Sequence, residues 1–469
     1  MTAARGRRLV GALWVLLAVV LAVAAFAGLC GIGVAVTMGQ SFRAEAPVAA
    51  WPASRPLPPD RKIVAVVVGR TGSVAADVLA PFEVFARSAA FAVVTVADER
   101  KPVALSGGLA LLPDRTFAEL ASGPRPDVVV VPAVVDPTGA EEAAARSFVA
   151  DQAARGSTVL GVCVGAELAA ASGVLDGRRA TSFWDAVDGL AEDYPAVDWV
   201  RGKRYVEDGP IVTTAGVTSG VVGALRVVER LAGPAEAARI GGDLAYPGWS
   251  PTAAVDIPER DLALSDAPYA LNVAFPYFRP TIGIGLADGV GEVDVASAVE
   301  AYSGTSFAAD AVPVALHPTI TTRHGLVLFA TTDADVDRVV VPGAVTDPGL
   351  SRWAADRGLS AEFPHADRAP GEFSLDPLLR DVAATADRAT ARVTAKFIEY
   401  PDAHLDLTGP AWPWRSTSLA GVALALSAGV GSAPLLLRRR SRQAGAVSVP
   451  DPSARGRRAS RDRRRPRSG

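Results

Sequence analysis

Apolar residues follow three regimes along the 469-residue chain. Near each end they run without a break. Between the ends they alternate between short strand-like runs and helically spaced positions. Leu9 to Met38 is thirty residues without a charge, and as a helix it would measure about 45 Å. In the middle, Ile63 to Val68 is a continuous run rich in β-branched residues, suited to a strand buried on both faces. Val78, Leu79, Phe82 and Phe85 then fall at helical spacing within Val74 to Ala90. Phe91 to Ala97 and Asp127 to Val131 read as further strands, the latter stopped by Pro132. Gly139 to Arg155 reads as a helix of small residues and Thr158 to Val162 as another strand. Tyr205 to Thr214, broken at Glu207-Asp208-Gly209-Pro210, reads as a hairpin, and Thr218 to Leu231 and Pro234 to Leu244 as closing helices. This alternation predicts an α/β fold with a parallel sheet covered on both faces.

The two ends read as membrane spans. Arg5, Arg7 and Arg8 precede the first apolar run. The second, Leu419 to Leu437, is nineteen residues and meets Arg438-Arg439-Arg440 directly. Trp412 and Trp414 stand before it as interfacial aromatics. The positive-inside rule then puts both termini in the cytoplasm and the central domains outside, in a two-span cell-membrane protein. The alternative for the first run is a cleaved export signal, for which Ala44-Glu45-Ala46 and Ala49-Ala50 offer small-residue sites. Its length exceeds a usual signal core and favours an uncleaved anchor. The expected order is a cytoplasmic segment 1–8, a span 9–38, a linker 39–60, a first domain 61–250, a linker 251–278, a second domain 279–410, a span 416–437 and a basic cytoplasmic tail 438–469.

Charge agrees with this layout. The chain as a whole carries −3. Without the three N-terminal arginines and the tail's twelve arginines and two aspartates, 32 basic and 48 acidic residues remain, a net of −16. Such an acidic exterior argues against nucleic acid as its ligand. The basic tail is expected to be disordered and to lie near anionic headgroups.

Gly161-Val162-Cys163-Val164-Gly165-Ala166 carries the chemistry. It follows an apolar run and leads into a helix-like segment, Glu167 to Ser172. Strand, glycine-flanked nucleophile and helix in that order make the cysteine version of a nucleophile elbow. The helix N-terminus favours negative charge, so a thiol there is expected to ionise more readily. The other cysteine, Cys30, lies in the first apolar run, so no disulfide is expected within the central domains.

Residues 279–410 echo the first domain in three places. Gly72-Ser73-Val74 with Asp77 and Glu83 is matched by Gly291-Glu292-Val293 with Asp294 and Glu300. Val130 to Pro137 is matched by Val340 to Pro348. Ala237 through Ala245-Tyr246-Pro247 is matched by Ala391 through Glu399-Tyr400-Pro401. A shared order of landmarks suggests a truncated second copy, one without a cysteine and so without an elbow.

From Ile63 to Trp249 the chain resembles the ThiJ/PfpI family of class I glutamine-amidotransferase-like proteins. The resemblance is to the branch of isonitrile hydratases and the amidase-like sensor domains of AraC-type regulators. It rests on Asp77 with Pro81 to Phe85, on Gly108-Leu109 and Pro113-Asp114, and on Val131-Pro132. The elbow, Gly173 to Thr181 and Thr214 to Gly220 complete it. It implies a flavodoxin-like, doubly wound sheet, with Cys163 as nucleophile and Asp77 as its acid-base partner. Asp77 could instead simply cap its helix, and Glu83 reads as a helix-face residue. The Val164 amide, Ala133, Val134, Gly108, Phe183 and Trp184 would line the oxyanion region and pocket. Three departures stand out. Phe183 replaces a histidine, and all four histidines lie at 317 or later. Pro132-Ala133-Val134 replaces Pro-Gly-Gly, and Val164 replaces a threonine.

Three functions remain open on this reading. The first is a hydrolase, hydratase or lyase acting on a small electrophile. The second is a non-catalytic small-molecule sensor or interaction module, with the second copy as a built-in partner or with a homodimer. The third is a redox-sensing thiol. No cofactor or metal site is expected; His317 and His324 read as solvated or packing residues.

Overall fold

The computed structural model describes residues 2–42 and 53–447. The cleavage-like alanines 44–50, part of the expected linker and the tail beyond 447 lie outside the described residues. The chain divides into two compact units. One holds Met1–Gly31 and Ser418–Gly469, the other Ile32–Thr417.

The terminal unit draws on two long helices, Thr2–Ser41 and Trp414–Val447. Their segments Ala12–Gly39 and Trp414–Arg439 have mean hydropathies of 2.8 and 1.8, long and apolar enough to cross a bilayer. Within this unit Gly431 abuts the Ala18 carbonyl, where a Cβ would collide.

In the larger unit the leading sheet has seven strands. They are β1 (Lys62–Val67), β2 (Phe91–Ala97), β5 (Arg115–Thr116), β6 (Val128–Val131), β7 (Thr158–Gly161), β10 (Tyr205–Asp208) and β11 (Ile211–Thr214). Their order is β10-β11-β7-β6-β1-β2-β5, and every pairing is parallel except the β10–β11 hairpin. β1, β2, β6 and β7 are buried nearly throughout, as their unbroken apolar runs require. Arg179–Ala180 (β8) and Asp198–Trp199 (β9) form a small separate pair.

A second sheet combines β12 (Thr281–Gly285), β13 (Asp310–Val314), β16 (Arg338–Val340) and β17 (Ala361–Glu362), in the order β13-β12-β16-β17, all parallel. Thus β12 is flanked by β13 and β16 as β1 is flanked by β2 and β6. A third sheet mixes the two parts of the chain. β15 (Val327–Phe329) pairs antiparallel with β4 (Ala110–Leu112), and β14 (Thr319–Thr321) and β3 (Val103–Ala104) lie at the edges.

The two parts do not form separate bodies. Helix Ala75–Ala86 packs on helix Glu292–Val299, and one apolar core runs from Val64 to Leu407. Two carboxylates bridge these helices reciprocally. Glu83 Oε2 accepts from the Val293 amide at 2.6 Å, and the Glu300 carboxylate accepts from the Ala76 amide. Glu83, read from the sequence as a helix-face residue, is therefore a buried bridge. Ala245 and Glu399 each close a helical segment at φ 56°, and the tyrosines after them, Tyr246 and Tyr400, meet edge-on at 5.9 Å.

Candidate functional site

The elbow forms where β7 ends and the short helix Gly165–Ala171 begins. Its left-handed residue is Cys163 itself, at φ 56°, while the flanking glycines serve in other ways. A Cβ on Gly165 would strike the Val131 carbonyl and the Pro132 backbone. At Gly161 it would meet Ala166 only at ordinary contact, 3.4 Å. Holding a non-glycine residue left-handed costs roughly 1–3 kcal/mol and persists where the surroundings over-determine it. Here the Cys163 amide donates to Thr214 Oγ1 at 3.3 Å, and Ser182 Oγ donates to the Cys163 carbonyl at 2.9 Å.

The expectation of an easily ionised thiol is overturned. Cys163 is only 5 % exposed. Burial, followed by the charges of Asp77, Glu399 and Glu300, holds its pKa well above the ordinary value, against the one favourable contact, the Val164 amide on the sulfur. Loss of water around the sulfur and three nearby carboxyls outweigh a single amide at the mouth of a seven-residue helix.

Asp77 is fully buried, in the first turn of helix Ala75–Ala86. Oδ2 accepts from the Ala133 amide at 3.1 Å, and Oδ1 has no partner. Burial raises its pKa well above the usual carboxylate range, with the Glu300 charge adding to the effect. Glu300 is buried too. It accepts from Thr305 Oγ1 at 2.7 Å, leaves Oε1 unpartnered, and burial pushes it up to about 7. Burial thus favours the protonated form of both Asp77 and Cys163.

The residues expected around the sulfur separate into four places. Val164 and Ala133 belong to the site, but the Ala133 amide is taken by Asp77. Val134 turns its side chain toward Gly69. Gly108, at φ 74°, lies against Ala311 on an open cleft of about 510 Å³ that Cys163 does not line. Phe183 and Trp184 pack on Phe397, with ring centroids at 6.3 and 5.2 Å, and Phe397 stacks on Tyr269 at 4.2 Å. The position where the resemblance has a histidine thus becomes part of an aromatic joint to the later part of the chain.

Sequence reading missed Glu300 and Glu399, which approach the cysteine from more than a hundred residues away. It also missed a cluster of Glu83, Glu292 and His324, whose ligand atoms lie within 4.8 Å of one another. His324 Nδ1 meets Glu292 Oε2 at 2.7 Å, Thr322 donates to Glu292 Oε1, and Arg87 pairs with Glu83. These oxygens already have partners, and the cluster ties the two bridging helices together. Hydrogen bonds from His324 and Thr322 hold Glu292 below the usual range against its burial, while burial raises Glu83.

Residues 62–230 match the model of the DJ-1/PfpI family. The isonitrile hydratase of Pseudomonas putida is 33% identical over 193 residues, covering 38% of this chain and 81% of that protein. The HTH-type transcriptional regulator CdhR of Pseudomonas aeruginosa is 32% identical over 139 residues, 30% of this chain but 40% of its own length. Protein dj-1beta of Drosophila melanogaster is 31% identical over 144 residues, 30% of this chain and 75% of that protein. Among solved structures, a THiJ/PfpI family protein from Pseudomonas syringae aligns at 29% identity and TM-score 0.37, covering 42% of this chain and 84% of its own. The isonitrile hydratase and protein dj-1beta are matched over most of their length at more than 30% identity, and the chain belongs to the DJ-1/PfpI family.

Proposed function

We propose that the chain is a membrane-tethered, cysteine-dependent enzyme that hydrates or hydrolyses a small, uncharged electrophile, with Cys163 as nucleophile and Asp77 as acid-base group. The carrying observation is the fully buried Asp77, whose Oδ1 has no partner and whose carboxyl acts on a thiol held on a strained elbow. A buried polar atom without a partner costs about 1–3 kcal/mol, and so does the elbow.

Two acids whose burial favours their protonated forms suit a substrate that must receive a proton at carbon. The isonitrile hydratase relative supplies the model reaction. The sulfur bonds to the isonitrile carbon while the thiol proton passes by way of Asp77 to that carbon, giving a thioformimidate. Water adds to the same carbon, the C–S bond breaks, and the thiol regains its proton as the N-substituted formamide leaves. No histidine is required, because the nucleophile adds together with its own proton.

The rest of the layout is proposed with it. Two apolar helices with arginine-rich flanks support a two-span anchor with both ends in the cytoplasm and the DJ-1/PfpI domain outside. Residues 279–410 are proposed as a shortened second copy. The like strand order around β12 and the reciprocal Glu83 and Glu300 bridges support this reading.

The test is turnover of a small alkyl isonitrile by the full-length protein in mild detergent, followed as formamide. Turnover should fall at least a hundredfold in Cys163→Ala and in Asp77→Asn. Wild-type turnover no greater than that of Cys163→Ala would sink the reading. The burial of the sulfur favours one second reading, a sensor that binds without turnover; saturable isonitrile binding with no formamide would select it.

A further inference from the structure

Glu399, from the later part of the chain, is one of the acids whose charge acts on the Cys163 sulfur. It is buried and left-handed at φ 56°, a conformation that strains a non-glycine residue. Its Oε2 accepts from the Gly216 amide at 2.7 Å and from Ser219 Oγ at 3.4 Å. Its backbone is pinned as well. Thr218 Oγ1 donates to the Glu399 carbonyl at 3.1 Å, and the Thr218 amide donates to the Ile398 carbonyl at the same distance. The segment Thr214 to Ser219 therefore serves two clients, since Thr214 Oγ1 also receives the Cys163 amide. Gly216 is glycine for a reason: a Cβ there would come within 3.0 Å of Glu399 Cγ.

A small void of about 10 Å³ is lined by Ser182, Ala215 and Glu399 together. Ser182 holds the Cys163 carbonyl, so this void sits between the elbow's support and the carboxylate. Burial raises the Glu399 pKa above its ordinary value, while the Gly216 amide and the charges of Arg260 and Arg204 favour its ionised form; Asp77 and Glu300 are the other acids that act on the sulfur. An amide and a hydroxyl on a loop beside a nucleophile are donors that would suit the negative end of a substrate. Here a carboxylate from the same chain already holds them.

We propose that Glu399 is the specificity-determining group of the Cys163 site: it occupies the Gly216 and Ser219 donors and confines the site to electrophiles that carry no negative charge. This rests on the reading that Cys163 reacts with small electrophiles, and it names the class it accepts. Like charges in a poorly hydrated site repel strongly, so an anionic reagent is discriminated against by at least tenfold.

Two alkylating probes of nearly equal size, iodoacetamide and iodoacetate, test it. In each the Cys163 sulfur bonds to the methylene carbon, iodide leaves with the bonding pair, and the thiol proton passes to buffer. The full-length protein in mild detergent is alkylated, and labelling at the Cys163 peptide is timed by mass spectrometry, with glutathione as reference thiol. Wild type is expected to prefer iodoacetamide at least tenfold more than glutathione does. Glu399→Gln, which keeps the shape, should bring the preference to within about threefold of glutathione, and Glu399→Asp should retain it. Glu399→Gly relieves the left-handed backbone and should behave like Glu399→Gln, which covers the case in which glutamine does not fold. A preference unchanged in both neutral variants overturns the role of Glu399 while leaving the reactive cysteine intact. A Cys163 inert to both reagents in every protein overturns the reactive-cysteine reading, and this one with it.

Discussion

Replacing Glu300 with glutamine should make stability depend less on pH, in a direction that the structure fixes. Glu300 is buried and pushed up to about 7 from its ordinary value of 4.5. Below pH 4.5 the carboxyl is protonated in both folded and unfolded chains and costs nothing. Between 4.5 and about 7 the unfolded chain releases the proton while the folded chain retains it, so stability falls as pH rises. Above about 7 the loss levels off. At about 1.4 kcal/mol per pH unit, the full loss is about 3 kcal/mol. Glutamine resembles the protonated acid. Its oxygen can accept from Thr305 and from the Ala76 amide, while its NH₂ takes the place of the unpartnered Oε1. The variant should therefore match wild type near pH 4.5 and exceed it by about 3 kcal/mol at pH 8.5. The assay is denaturant unfolding of the two full-length proteins in mild detergent, followed by tryptophan emission from pH 4.5 to 8.5. A stability difference that stays constant with pH would refute the reasoning. One that grows toward low pH would show that Glu300 is ionised in the folded protein.

Two other substitutions test the packing around the site. Gly165→Ala should cost at least about 2 kcal/mol, because its Cβ meets rigid backbone at Val131 and Pro132; Gly161→Ala, with room at 3.4 Å, is the matched control in the same unfolding assay. Phe397→Ala should cost about 3–5 kcal/mol and shift Trp184 emission to the red, since it empties the joint that Trp184 and Tyr269 fill; an unchanged emission spectrum would show that the joint does not shield Trp184.

The leading α/β domain was legible because its signals are local. β2 and the closing helix Pro234–Leu244 lie where the sequence predicts, and β1, β6, β7 and the closing helix Ser219–Ala232 differ from their expected limits by one residue. The expected helix Gly139 to Arg155 keeps its α-helical part at Ala143–Ala154, preceded by a 3₁₀ turn at Ala140–Glu142. Part of the segment read as the linker 251–278 is instead helix Ala267–Ala274, whose Asn272 is buried against Ser306, Thr390 and Ser416. Those partners are distant in sequence, so no local pattern announces them.

The sequence by itself determined where the elbow cysteine sits, which acid stands at the family position, and that the flanking histidine is gone. These follow from residue type and from spacing along one strand-turn-helix unit. Only the tertiary structure decided the state of that thiol. A helix N-terminus argues for an easily ionised thiol, but the helix here is short, the sulfur is buried, and Glu300 and Glu399 arrive from the far part of the chain. Desolvation and through-space charge depend on which surfaces close over a residue, and those surfaces are assembled from segments that the order of residues does not bring together.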